Sequence, residues 1–71
     1  MDLEDVKLLY AAAGYRLLMK RVGRHKRLCA LQVCAEDGRP LTGIGWAETH
    51  DATRAKVALR LLGEVNARTR S

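Results

Sequence analysis

The chain has 71 residues, which leaves room for one small domain and no second. Hydrophobic residues make up 48% of it, too many for a disordered chain, and no apolar run approaches the roughly 18 residues a membrane helix needs. With 13 Lys and Arg against 8 Asp and Glu, the formal charge is +5, which points to an acidic partner, nucleic acid being the commonest.

The N-terminus, Met1-Asp2-Leu3-Glu4-Asp5, lacks the basic-then-apolar order of a signal peptide, so a cytoplasmic protein is expected. Residues 3–13 read as a helix, because Leu3, Val6, Leu9, Tyr10 and Ala13 recur at three-and-four spacing. Asp2 is the expected N-cap, Glu4 and Asp5 suit the positive end of the helix dipole, and Gly14 suits a left-handed C-cap. Residues 15–22 alternate as a strand, with Leu17 and Met19 toward the core. Gly23-Arg24-His25-Lys26-Arg27 reads as a hairpin loop of two to five residues.

Residues 28–35 form the second strand, with Cys29, Leu31 and Val33 on one face and Ala30, Gln32 and Cys34 on the other. That parity separates the two cysteines, which read as buried reduced thiols that pack like small apolar residues. Glu36-Asp37-Gly38-Arg39 is a turn, Asp-Gly being the strongest short hairpin signal. Residues 40–46 are expected as a third strand, opened by Pro40 and carrying Gly43 and Gly45, whose alternation predicts a close approach by another backbone or a helix.

Residues 50–66 read as the second helix, with Thr49 as N-cap and an apolar face of Ala52, Ala55, Ala58, Leu59, Leu62 and Val65. Lys56, Arg60 and Glu64 fall on the opposite face, Arg60 and Glu64 as an i,i+4 pair. Residues 67–71 are expected as a flexible basic tail after a single domain spanning 1–66. The order is helix, strand, strand, strand, helix. The economical arrangement is an α+β fold, a three-stranded antiparallel sheet with both helices packed on one face and the other face wet. Its expected core is Leu3, Val6, Leu9, Leu17, Met19, Leu31, Val33, Leu59 and Leu62.

Charge is distributed unevenly. Between Val6 and Ala35 there is no Asp or Glu, yet six of the basic residues fall within 16–27: Arg16, Lys20, Arg21, Arg24, Lys26 and Arg27, with His25 among them. A solvated hairpin that keeps the protein soluble would look like this, and so would an anion-binding surface. The acid-free stretch favours the second reading, with these seven residues as the nucleic-acid-binding set. Lys56, Arg60 and Trp46 are possible additions. Trp46, at the end of the third strand, is expected to cap the core edge under the second helix, the other reading being an exposed stacking platform or interface anchor.

The whole pattern, over residues 3–65, resembles the double-stranded RNA-binding domain. Gly23-Arg24-His25 is similar to a shortened form of that family's first-hairpin loop, which enters an RNA minor groove. Leu31-x-Val33 resembles its apolar second strand, Gly43-x-Gly45 its third-strand glycine pair, and Ala55-Lys56-Val57-Ala58-Leu59 its alanine-rich last helix. Where the family carries a phosphate-gripping lysine pair, this chain reads Ala47-Glu48-Thr49-His50-Asp51, which places acids at the start of the helix. The resemblance implies the α-β-β-β-α fold and RNA as partner, in preference to DNA.

Enzyme chemistry has little to stand on. No short-spaced Cys and His knuckle exists for a metal, no carboxylate pair for acid–base work, and no P-loop lysine follows the Gly-x-Gly. The sequence therefore reads as a non-enzymatic module without cofactor or metal that binds nucleic acid. The alternative is a protein-interaction or regulatory accessory module that docks on an acidic protein surface or self-associates as a homodimer.

Overall fold

The structure, a computed structural model, describes residues 1–70. The elements are α1 (Leu3–Ala13), β1 (Arg16–Val22), β2 (Leu28–Cys34), β3 (Gly45–Glu48) and α2 (Asp51–Arg70). The strands form one antiparallel sheet in the order β1-β2-β3.

Local chemistry sets the ends of α1 where the sequence places them. The Asp5 N–H donates to Asp2 Oδ1 at 2.9 Å and the Asp2 N–H returns to Asp5 Oδ2 at 3.4 Å, a reciprocal capping box. At the other end Gly14 adopts φ 79° and its N–H donates to the Ala11 carbonyl at 3.1 Å. The turn after β2 is likewise built on its Asp-Gly pair: Gly38 has φ 92°, its N–H donates to the Ala35 carbonyl at 2.9 Å, and Asp37 Oδ1 accepts from the Arg39 N–H at 3.0 Å.

The third strand is shorter than expected and starts later. Cys34 pairs with Pro40, then regular pairing resumes only at Leu31 with Gly45. Between those points β2 has two residues, 32 and 33, while the facing chain has four, 41–44, so two extra residues bulge out of the ladder. Thr42 fills the gap. Its buried hydroxyl accepts from the Val33 N–H at 3.2 Å and donates to the Gly43 carbonyl at 2.9 Å, and its carbonyl accepts from Gln32 Nε2 at 2.7 Å. Side chains thus satisfy the groups that a regular strand would have paired.

Register assigns the sheet's two faces. Leu17 lies opposite Val33, Met19 opposite Leu31 and Arg21 opposite Cys29, with Gly45 and Ala47 continuing the last two rows into β3. Both helices pack on this face, where Cys29, Leu31, Val33 and Ala47 join Leu3, Val6 and Tyr10 of α1 and Ala55, Ala58, Leu61, Leu62 and Val65 of α2 in one buried cluster. Tyr10 ties the helices together through a 2.6 Å hydrogen bond from its hydroxyl to the Ala58 carbonyl. Burial pushes its phenol pKa up from 10.0 to about 12.

Two leucines expected inside are outside. Leu9 and Leu59 are exposed, and Leu61 takes the core position instead. The stripe that meets the sheet runs through Ala55, Ala58, Leu61, Leu62 and Val65, which rotates Leu59 to its margin. Helical bonding in α2 starts with the Arg54 N–H on the His50 carbonyl, and the Thr49 N–H instead donates to the Arg27 carbonyl at 3.1 Å. Thr49 therefore ends the strand region rather than capping the helix. Residues 67–70, expected as a tail, continue α2, and Thr69 Oγ1 donates back to the Val65 carbonyl at 3.1 Å. Ser71 lies outside the described residues.

Gly45 answers the expectation of a close approach. A Cβ there would meet Val57 Cγ1 at 2.9 Å and Leu61 Cδ1 at 3.1 Å, so α2 lies directly on the strand at this point. Gly43, in the bulge, has open space around it. Arg60 Nη2 also comes to 3.4 Å of that position on Gly45, and the expected pairing of Arg60 with Glu64 is not formed.

Candidate nucleic-acid interface

The first hairpin closes with Val22 opposite Leu28, which makes residues 23–27 a five-residue loop. Gly23 opens it at φ 92°, and the Lys26 N–H returns to the Gly23 carbonyl at 3.3 Å. Lys26 itself has φ 55°, the left-handed region that residues other than Gly, Asn and Asp enter at a cost. The turn thus fans four consecutive polar side chains, Arg24, His25, Lys26 and Arg27, into solvent, and all four are exposed.

The strand cations divide between two faces. Arg16 and Lys20 lie on the face away from the helices, with Leu18, Val22, Leu28, Ala30, Gln32, Trp46 and Glu48. Arg21, opposite Cys29, lies on the helix side, exposed beyond the packed core. A single surface carrying all seven residues is therefore not what forms. The loop brings four of them together, Lys20 and Arg16 run from it along the open face, and Arg21 projects to the other side. Lys56 and Arg60 are exposed on α2, in the layer behind the sheet.

Electrostatic neutralisation is local to other sites. Glu48 Oε2 lies 3.7 Å from His50 Nε2, an ion pair when His50 is protonated, and Asp51 Oδ1 accepts from Arg54 Nη2. Lys7 pairs with Glu4 at 3.4 Å. Among the described residues, none of the hairpin's cations makes an ion pair. Asp51 is thus held by Arg54, and Glu48 lies beside His50.

Trp46 does not lie under α2. It pairs with Ala30 on the open face and is 54% exposed. The physical reason is adjacency: Gly45 faces the helix, and consecutive strand residues point to opposite sides. Leu18 and Leu28, on the same face, are 55% and 47% exposed. An open depression of about 590 Å³, lined by Arg27, Leu28, Glu48, Thr49 and His50, lies where the base of the hairpin meets the start of α2. Leu28 and Glu48 belong to both, so the depression continues the open face.

Leu18 shares its parity with Arg16 and Lys20, and Leu28 shares its own with Ala30 and Gln32, which is the sign in sequence that both belong to the exposed face. Sequence reasoning passed over Arg54. Its side chain is 15% exposed, held by Asp51 one turn away, with Nε buried and unpartnered. The i,i+3 spacing of Asp51 and Arg54 is the sign in sequence.

Among the described residues no three His, Cys, Asp or Glu side chains converge as metal ligands, and Cys29 and Cys34 are buried free thiols. No helix among these residues is long and apolar enough to cross a membrane. Comparison with known proteins finds no family model that matches the chain, and no curated protein or solved structure that matches it.

Proposed function

We propose that this chain is a small non-enzymatic nucleic-acid-binding module, similar in architecture to the double-stranded RNA-binding domain, with RNA its favoured partner and the first hairpin its main contact. The observation that carries this reading is the exposed state of Arg24, Lys26 and Arg27, with Lys20 beside them and none of the four in an ion pair, while Asp51 is held by Arg54. Cations free of internal partners release counterions from a phosphate backbone when they bind it, which is the main source of sequence-independent affinity.

Binding single- and double-stranded RNA and DNA at two salt concentrations tests it. Affinity is expected to fall steeply with salt. The triple substitution Arg24→Ala, Lys26→Ala and Arg27→Ala is expected to weaken binding by orders of magnitude and flatten the salt slope by about 2 to 3, three phosphate contacts' worth, without unfolding the chain. Equal binding by parent and variant would sink the proposal.

A second reading, a protein-interaction module on the same fold, is favoured by one observation: Leu18, Leu28 and Trp46 stand exposed together on the open face. A salt-insensitive complex with a protein, or a homodimer in light scattering, would select it.

A further inference from the structure

Trp46 is the one tryptophan of a chain that has no phenylalanine. Tyr10, Leu31, Val6, Val33 and Cys29 close the core without it, and the indole stays 54% exposed. A ring of this size contributes most when buried, so a scarce aromatic left on the surface points to a contact made there.

Its neighbours define that contact. Ala30, directly opposite in β2, is too small to cover the ring, and Lys20 follows in the same row on β1, about 10 Å away across two strand spacings. Leu28 and Val22 form the next row, and the loop cations begin beyond it. On the far side lie Leu18 opposite Gln32, then Arg16. An apolar floor with one exposed indole is therefore flanked by cations on its β1 and hairpin sides, and Glu48, on Trp46's own strand beside His50, is the one acid of the face's strand residues.

That composition selects among occupants. Two-fold packing with a second copy would press Lys20 and Arg16 against a surface carrying the same cations. A duplex keeps its base faces stacked inside and offers the indole nothing. An unpaired strand offers both base faces for the ring and phosphates for the rim. We infer that the open sheet face is a platform for single-stranded nucleic acid, with Trp46 stacking on a base while Lys20 and the hairpin cations hold the flanking phosphates. This rests on the nucleic-acid reading above and narrows it to unpaired strands.

Tryptophan fluorescence reports on Trp46 alone and needs no variant. Short oligouridine and oligothymidine of equal length are expected to quench it, the preference between them separating RNA from DNA, while duplexes of either kind bind more weakly and leave it unquenched. Trp46→Ala, its fold checked by circular dichroism, is expected to weaken single-strand binding about 5- to 150-fold, the loss of one base stack, and to leave duplex binding unchanged. Lys20→Gln keeps the ring and should flatten the single-strand salt slope by about 0.7. Single-strand binding without quenching, or a preference for duplex, overturns the platform and leaves the hairpin reading intact. No binding to any of the four nucleic acids overturns both. A dimer in sedimentation that Trp46→Ala dissolves assigns the face to a second copy and overturns the platform.

Discussion

The two faces of the sheet are made by the same three strands and differ in every alternate residue. On the covered face Leu31 and Val33 are fully buried, Gly45 lets α2 lie against the backbone, and Arg21 is the only charge, at the end of its row. On the open face the apolar residues Leu18, Leu28 and Trp46 stand about half exposed among Lys20, Arg16 and Glu48. Hydrophobicity alone does not separate the two sets. Parity does, apart from Cys34, which lies opposite Arg16 yet is buried, and it separates most of the residues that hold the fold from those available to a ligand.

The sharpest way to break that distinction is to truncate matched leucines. Leu31→Ala, in a position with no exposure, is expected to cost about 2–5 kcal/mol, enough to threaten folding in a domain of this size, whereas Leu18→Ala on the reverse of the sheet should stay within about 0.5 kcal/mol. Urea denaturation of both variants measures the gap. Similar losses would mean that the open face is covered in solution.

Gly45→Val probes how tightly the covered face is closed. Even a first carbon at this position lies 2.9 Å from Val57 Cγ1, and Val57 is β-branched and stiff at χ1, so about 1–3 kcal/mol should be lost in the same assay. A neutral outcome would show that α2 can lift from β3.

Tyr10→Phe removes the hydroxyl's bond to Ala58 and is expected to cost about 1 kcal/mol at neutral pH. The parent has a further dependence. The phenol ionises near 10 when unfolded and near about 12 when folded, so the folded chain retains the proton longer. The resulting stability is fully present below pH 10 and is lost as pH rises through about 12. Relative to its value at neutral pH, the unfolding free energy should therefore fall between pH 10 and about 12 for the parent, and fall less for Tyr10→Phe. Parallel profiles would show that the phenol is not shielded.

Much of the architecture was legible because short-range chemistry fixes it. Asp2 with Asp5, Gly14, and the Asp37-Gly38 turn each act within a few residues, and hydrophobic spacing sets the order of elements. The extent of β3 was not legible. Its pairing is interrupted by Thr42, whose hydroxyl supplies a bond that no strand pattern encodes. The placing of Trp46 followed from a local cue read one residue off: a glycine that admits a helix sends its neighbour to the opposite side. The division of Arg16 and Lys20 from Arg21 is alternation within one strand, hidden in sequence by the density of charge around it.

The bulge at 41–44 has a consequence for how this sheet meets other molecules. β3 is an outer strand, and its regular ladder is only four residues long, with Pro40, which has no N–H to donate, before the interruption. An incoming chain would find too few consecutive rungs to zip on to, so lateral growth into fibrils is discouraged on that flank.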